Sequence, residues 1–431
     1  MVLRVKKKSI IRALVYIQLL LPSLLRGLVV NYGFPISVNV INYITTTALI
    51  LLILVKGIKN INKSFKLILG GMLVLLMIGV INYIINMTPV AQFYRGIFDY
   101  FHVWIIMLIV GMLFRKEDFD YLGNIVVKIS YINALIMLIQ YFVLGLVQDK
   151  LGGIFGNDNG CNGIQNTFYC IGLIVIITDY IYGRKKLKNI IGYCAITAVT
   201  AGIAEITIYF FEMVIIVIGA ILLVRNKGVS VKGLIRTMGV LVAFVVIAIV
   251  GVRVLFYLFP TKVRFLQYSA ILDYLGASKG QTGVYDISRI HAISDMKDKF
   301  LLNWWSQIFG LGIGYTQIGG TFYLRNAAIP YYWFTSASTV LESGFLGVLF
   351  RLGSFVYVFC VASAAKKKNA IDKYAVIAQL TAGFSMILFF YNSTIDNKYD
   401  SFLLGAYLAT YICCMIDSSN QKTKELGDDL I

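Results

Sequence analysis

The chain has 431 residues, of which 59% are hydrophobic and 14% are charged, and its formal net charge is +18. A water-soluble core of ordinary surface-to-volume ratio cannot enclose that much apolar surface, so the composition excludes an ordinary soluble domain and indicates a protein embedded in lipid. The positive charge does not indicate nucleic-acid binding, because the basic residues sit in short loops between apolar blocks and form no patch interleaved with aromatic or polar readers.

The apolar residues form repeated blocks of roughly 17 to 25 residues, the length that an α-helix needs to cross about 30 Å of hydrocarbon. This pattern predicts an all-α polytopic membrane protein of about twelve transmembrane helices. The predicted spans are 10–29, 38–55, 67–85, 98–114, 125–147, 168–182, 190–203, 207–224, 238–259, 339–361, 374–391 and 402–416. No linker rich in Pro, Gly or Ser divides them, so residues 1–431 are predicted to form a single integral membrane domain.

The positions of Lys and Arg predict which helix ends face the cytoplasm. With the N-terminus inside, the inner segments carry about 25 Lys and Arg and the outer segments about 11, as the positive-inside rule requires. An even number of spans then returns the C-terminus to the cytoplasm. Residues 260–334, between the ninth and tenth helices, are predicted to form one long extracytoplasmic loop, whose many aromatic residues favour a position on the bilayer interface.

Charged residues within or beside the apolar spans are candidates for function, since each costs at least about 2.5 kcal/mol at a bilayer centre unless it faces protein or water. Those predicted on the outer side are Arg26, Arg95, Glu205, Glu212, Arg253 and Glu342. An outward-opening cavity explains them together, whereas snorkelling explains some of the arginines separately. Lys128 and Arg351 also fall within spans and receive no predicted role.

The long loop combines cations with an aromatic surface, which suits a lipid-linked anion. Its charged residues include Arg264, Asp286, Arg289 and Arg325, with His291 two positions after Arg289. A guanidinium stays charged and can bind phosphate oxygens through two parallel hydrogen bonds, so these arginines are candidates for binding a pyrophosphate. The alternative is that they contact only lipid headgroups. No nucleotide-binding, metal-binding or nucleophile-elbow motif is present, so no metal or other cofactor is predicted.

Three stretches together resemble the O-antigen polymerase and ligase superfamily. They are Arg289 followed by Gly310-Leu311-Gly312-Ile313-Gly314, then Leu341-Glu342-Ser343-Gly344-Phe345-Leu346-Gly347, and earlier Gly153-Ile154-Phe155-Gly156-Asn157-Asp158-Asn159-Gly160. In that superfamily an Arg precedes a G-x-G-x-G turn, a Glu-x-Gly-x-x-Gly stretch opens the next helix, and a loop of Gly and Asn precedes the sixth helix. Each stretch alone is a weak signal, but their order and spacing together strengthen the resemblance. The resemblance covers nearly the whole chain.

The resemblance implies a GT-C-like membrane glycosyltransferase bundle in the bacterial cytoplasmic (inner) membrane. It implies metal-independent transfer of a saccharide from undecaprenyl pyrophosphate on the extracytoplasmic face, with Arg289 and Glu342 as the catalytic candidates. Pyrophosphate-binding candidates are Arg264, Arg325 and Arg95, and cavity candidates are Glu205, Asp286, His291, Asn157 and Asn159. A chain-length regulator and a flippase of the same pathway are the expected protein partners.

Two departures separate the branches of the superfamily. Ligases carry a His shortly before the Glu-x-Gly stretch, where this chain has Tyr331-Tyr332-Trp333-Phe334, and the Ser-Arg at the start of the eighth helix is replaced by Ala204-Glu205. Both favour a repeat-unit polymerase for O-antigen, capsule or exopolysaccharide. They do not identify the general base. Glu342, Glu205 and Asp286 are the candidates, and a reaction that needs no general base is the alternative. An O-antigen ligase, a lipid-linked oligosaccharide flippase and a secondary transporter are the alternatives.

Overall fold

A computed structural model describes residues 7–34, 38–56, 63–147, 150–158, 160–225, 239, 253, 287–326, 328–368 and 373–412. Within these ranges all regular secondary structure is helical. Numbered in chain order, the α-helices are α1 (Lys7–Tyr32), α2 (Val38–Lys56), α3 (Lys63–Ile85), α4 (Val90–Leu113), α5 (Lys116–Phe142), α6 (Cys161–Ile181), α7 (Leu187–Ile203), α8 (Thr207–Arg225), α9 (Ala292–Phe300), α10 (Trp304–Phe309), α11 (Thr321–Arg325), α12 (Thr335–Lys368), α13 (Lys373–Tyr391) and α14 (Ser401–Leu408). One-turn 3₁₀ helices lie at Gly153–Phe155, Tyr331–Trp333 and Thr394–Asp396.

Seven helices in the described part of the chain are long and apolar enough to cross a membrane. They are Ile11–Asn31, Phe65–Ile85, Val90–Leu113, Lys116–Phe142, Cys161–Ile181, Thr335–Ala365 and Lys373–Tyr391. Helices α7, α8 and α14 are apolar but shorter. The predicted ninth span, apart from residues 239 and 253, and residues 260–286 lie outside the described residues. The all-helical class is therefore confirmed, while twelve spans and their orientation stay predictions.

Helix α6 occupies the centre of the bundle. It packs against α5, α7, α8, α13 and α14, and its candidate span is 100% buried within the protein. A helix that meets no lipid can carry polar side chains, because its neighbours supply their hydrogen-bond partners. The second turn of α6 contains the polar residues Gln165, Asn166 and Thr167. Hydropathy does not mark such residues as part of a span, so α6 begins at Cys161, well before the apolar span predicted from residue 168.

Ion pairs tie the helices together at one end of the bundle, which we call the basic face. There Lys373, at the start of α13, lies 2.6 Å from Asp120 of α5 and 2.7 Å from Asp179 of α6. Arg184 also lies 2.7 Å from Asp120, at the carboxylate oxygen that Lys373 does not approach. These residues belong to segments that the positive-inside rule assigns to one side, so their contacts agree with the predicted alternation of the spans.

The opposite end, which we call the loop face, carries a second set of polar contacts. The loop 392–400, between α13 and α14, supplies most of them. Lys398 lies 3.3 Å from Asp99 of α4, and the Thr167 hydroxyl of α6 donates to Asp400 at 2.5 Å. Burial raises the pKa of the Asp400 carboxyl to about 7. This short loop therefore links α4, α6 and α14 at one level.

The described part of the long segment, 287–334, folds against the bundle and does not simply cover the bilayer interface. It has a small apolar core of its own, in which Met296, Phe322 and Tyr331 pack beside Val340 and Leu341 of α12. Trp304 and Trp333 remain 67% and 54% exposed, so an aromatic outer surface is also present. The exposed aromatic side chains fit the apolar faces predicted for the loop, while its position on the bilayer interface stays a prediction.

Candidate active site

The segment Gly310–Gly314, which we call the glycine loop, needs glycine at each of its alternate positions. Gly310, Gly312 and Gly314 have φ values of 75°, 116° and 82°. L-residues with a side chain rarely adopt this left-handed region. Space is also lacking, since a Cβ on Gly314 would lie 2.4 Å from the carbonyl oxygen of Gln92 and one on Gly310 would lie 2.4 Å from the carbonyl carbon of Glu342.

Helix α12 is broken where the glycine loop meets it. Gly344 has φ 61° and ψ −161°, which interrupts the helical hydrogen bonds and releases the carbonyls of the residues before it. The amide of Leu311 donates to the Leu341 carbonyl at 2.7 Å, and the amide of Gly312 donates to the Glu342 carbonyl at 3.0 Å. The glycine loop therefore replaces the missing helical partners, as buried non-helical backbone in a membrane protein requires.

Helices α3 and α4 hold the other side of the glycine loop. The Asn82 amide donates to the Phe309 carbonyl at 3.0 Å, and the Asn86 amide, in the turn that follows α3, donates to the Leu311 carbonyl at 2.6 Å. On α4, a Cβ added to Gly96 would lie 2.3 Å from the Gly314 Cα. The glycine loop is thus wedged between α3, α4 and the break in α12, far more firmly than an ordinary surface turn.

Glu342 lies at the centre of this arrangement. Its side chain is buried, and its Oε1 accepts a hydrogen bond from the Thr316 hydroxyl at 2.7 Å. Thr316 is fixed in turn, because the Tyr331 hydroxyl donates to its carbonyl at 2.8 Å. The segment after the glycine loop therefore holds the carboxylate, while the loop itself holds the Glu342 backbone.

A buried ion pair that the sequence did not predict lies beside Glu342. Arg351, 2% exposed, contacts the Asp396 carboxylate at 2.5 Å, and its guanidinium lies 4.1 Å from the centre of the Tyr100 ring. The second Asp396 oxygen accepts from Ser338, one helical turn before Glu342, at 2.7 Å. Glu342 is close enough to Arg351 and Asp396 to interact electrostatically with both. The Arg351–Asp396 ion pair therefore acts on Glu342 through its charge, while the hydrogen bond to the Glu342 carboxylate comes from Thr316.

Arg289 lies at the rim of the same region. Its guanidinium carbon is 4.8 Å from the centre of the Tyr391 ring and 5.8 Å from that of Phe334, at the end of α13 and just before α12. The backbone joins these elements, since the Thr335 amide donates to the Asn392 carbonyl at 2.9 Å. Arg289 is half-buried beside the residue that precedes α12, and Glu342 lies about two turns further along that helix, so the structure brings both to the same end of α12.

The other candidates are more scattered. Arg95 and Arg325 are exposed, on α4 and at the end of α11. His291 is exposed immediately before α9, and its amide donates to the Ser288 hydroxyl at 3.0 Å. Glu205 forms the turn between α7 and α8 with φ 57°. Asn157, half-buried, precedes Asp158, which pairs with Arg26 at 2.6 Å, whereas Arg264, Asp286 and Asn159 lie outside the described residues.

A matched pair of glycine variants tests whether the glycine loop holds α12. Gly310→Ala places a Cβ against immobile backbone, adding about 1–3 kcal/mol of overpacking to the cost of the left-handed backbone. Gly319→Ala has a similar φ, 86°, but open space around it, so only the backbone cost of about 1–2 kcal/mol applies. In thermal unfolding of purified protein we expect Gly310→Ala to lower the midpoint clearly more than Gly319→Ala. Equal shifts would contradict this packing.

No metal site is evident among the described residues, where no three side chains of His, Cys, Asp or Glu are grouped closely enough to hold an ion. Neither a protein-family model nor a curated protein sequence matches the chain.

Proposed function

We propose that the protein is a repeat-unit polymerase of surface polysaccharide, which transfers a growing chain from undecaprenyl pyrophosphate onto the next lipid-linked repeat. One observation carries the proposal: the Gly310–Gly314 stretch and the Glu342-x-Gly344 stretch, each weak as a motif, are hydrogen-bonded to each other through Gly312 and Glu342 at 3.0 Å. Two distant stretches that resemble one superfamily's signature thus form a single structural unit.

The reaction has simple requirements. A hydroxyl oxygen of the acceptor saccharide attacks the anomeric carbon of the donor, the bond from that carbon to the pyrophosphate oxygen breaks, and its electron pair leaves with undecaprenyl pyrophosphate. Negative charge grows on the leaving group, so fixed cations lower the barrier. Arg289, held between two rings at the rim, is the proposed pyrophosphate ligand, with Arg264, Arg325 and Arg95 as further candidates.

Glu342 is the proposed acceptor for the hydroxyl proton. Thr316 holds one of its oxygens, and Arg351 with Asp396 sets the charge around it. Arg351 is too deeply buried to bind substrate directly, so its proposed role is to position Asp396 and the α12 break. Glu205 and Asp286 remain alternatives for the base, and a sufficiently good leaving group would need none.

The proposed orientation places the loop face outside the cytoplasm and the basic face inside, with twelve spans in a bacterial cytoplasmic membrane. The positive-inside count supports this assignment, since the basic face gathers Arg184, Lys185 and Lys373. The undecaprenyl chain would then lie along lipid-facing helices beside the site, with its pyrophosphate at the interface.

Deletion of the protein from its host distinguishes the proposal from its alternatives. A polymerase deletion should leave single repeats attached to the cell surface, because export and attachment still operate. Loss of a flippase would leave no repeats at the surface, and loss of a ligase would leave full-length chains on the lipid carrier. Electrophoresis of surface and lipid-linked saccharides, with the intact chain restored as a control, separates these outcomes; either of the last two patterns would contradict the proposal.

A further inference from the structure

A second buried carboxylate lies away from the glycine loop, in the middle of the bundle. Glu212 of α8 is completely buried. Its Oε2 accepts hydrogen bonds from the Asn166 amide at 2.7 Å and from the Cys170 thiol at 3.2 Å, both on α6. Its Oε1 is equally buried and, among the residues that the structure describes, has no hydrogen-bond partner. One oxygen of the group is fully satisfied, and the other is not.

The described residues around Glu212 supply no positive charge. Among the described elements, α6, α7 and α13 pack against α8. From α6, Asn166 and Cys170 are the groups that act on the carboxylate, and α7 faces α8 through Thr197, whose hydroxyl lies 2.7 Å from the Tyr209 hydroxyl. Neither Lys nor Arg within the described ranges acts on Glu212. A buried carboxylate without a counter-charge is strongly disfavoured, and the described residues supply none, so a bound positive charge would remove this cost.

We propose that Glu212 and Asn166 form an internal site for one monovalent cation, which is either a proton or a small alkali-metal ion bound at Glu212 Oε1. A single carboxylate among neutral donors is balanced by one positive charge, so a divalent ion would leave an excess. The oxygen donor suits a hard cation and disfavours a soft transition metal. Ionisable groups inside membrane proteins commonly mark ion or proton sites.

This site is independent of the proposed transfer reaction. The glycine loop is held by α3, α4 and α12, whereas Glu212 lies between α8 and the central helix α6. Cation binding at Glu212 would therefore fix the contact of α6 with α8, whatever reaction the loop face performs.

The test is thermal unfolding of the purified full-length protein as a function of cation and pH. Ionic strength is held constant while choline chloride is replaced by NaCl, LiCl or KCl, and a pH series is run in choline alone. A ligand that binds only the folded protein raises the midpoint with the logarithm of its concentration. For the wild type we expect a rise with Na⁺ or Li⁺ above K⁺ if the ion is an alkali metal, or a rise with decreasing pH alone if it is a proton.

Two variants define the response. Glu212→Gln replaces the carboxylate by a neutral group of the same shape, so it should fold and lose the cation and pH response of the wild type. Glu117→Gln, on the exposed first turn of α5, is the matched control and should keep that response. Wild type and Glu212→Gln responding equally to both cation and pH would overturn the proposal.

A measurement on the wild-type protein covers the case in which Glu212→Gln does not fold. Dicyclohexylcarbodiimide reacts with protonated carboxyl groups in apolar surroundings, and peptide mass spectrometry identifies the labelled residue. We expect labelling of Glu212 to fall as the pH rises and, if the ion is an alkali metal, to fall also with added Na⁺ at fixed pH. Labelling of Glu212 that is absent at every pH, or insensitive to both pH and Na⁺, would contradict the site.

Discussion

Replacing Arg289 by Ala is expected to abolish extension of the saccharide beyond one repeat in cells and to lower the transfer rate about 10²- to 10³-fold in vitro, the usual cost of removing one preorganised charge-stabilising donor. The guanidinium lies 4.8 Å from the centre of the Tyr391 ring, which keeps it at the rim of the loop face. Arg289→Lys keeps the charge but loses the planar fork, so it should retain an intermediate rate. The measurement is polysaccharide chain length in a complemented deletion strain.

The matched control is Lys297→Ala, which removes a cation from the nearby helix α9. Lys297 lies 3.5 Å from Asp298 on the same exposed turn, and such surface pairs contribute little. We expect the Lys297→Ala variant to leave the polysaccharide chain length unchanged. Expression of each variant is compared by immunoblot of the membrane fraction, because loss of the stacked guanidinium also costs about 0.5–1 kcal/mol of stability. Full-length polysaccharide from Arg289→Ala at normal expression would remove Arg289 from the site.

Replacing Asp396 by Asn is expected to destabilise the protein by about 3–5 kcal/mol, since it removes the ion-pair partner of the buried Arg351 cation. Arg351→Met should cost less, because the Asp396 side chain is 23% exposed and water can solvate the freed carboxylate. The double variant should recover much of the loss, as replacement of a buried pair by neutral groups often does. Thermal unfolding in detergent, followed by tryptophan fluorescence, measures the three midpoints.

Asp298→Asn is the control for this series. Asp298 is 70% exposed, so its replacement should leave the unfolding midpoint unchanged. The order of the midpoints is the decisive result. If Asp396→Asn is no more harmful than Asp298→Asn, the pair does not hold loop 392–400 to α12. If the double variant is as unstable as the sum of the single ones, Arg351 and Asp396 act separately.

The helices were predictable wherever hydropathy alone decides the structure. The eighth predicted span begins at Thr207, the first residue of α8, and the seventh and eleventh end at Ile203 and Tyr391, the last residues of α7 and α13. The start of α5 was not predictable in this way. It begins at Lys116, in a polar stretch where the Arg115 amide donates to the Asp118 carboxylate at 2.8 Å. Helical hydrogen bonds continue through such residues, whereas a hydropathy pattern stops at them.

The candidate site was predictable only in its local motifs. The alternating glycines of the glycine loop and the order Glu342-x-Gly344 are visible in the sequence, but their contact depends on the fold. The pairing of Asp396 with Arg351 was not predictable from Asp396, because that residue lies in a short polar loop with no distinctive motif. Arg351 could have predicted this pair. A charged residue within an apolar span needs a partner of opposite charge, and a loop that joins neighbouring helices can supply one.

Reconstitution tests the central claim most directly. The purified protein is placed in liposomes with an undecaprenyl-pyrophosphate-linked repeat unit as the sole saccharide, with no nucleotide sugar added, and the products are resolved by size. The proposal predicts saccharides of two or more repeats together with released undecaprenyl pyrophosphate, and neither product from Arg289→Ala. A repeat unit that stays at its original length, or that crosses the bilayer without being extended, would contradict it.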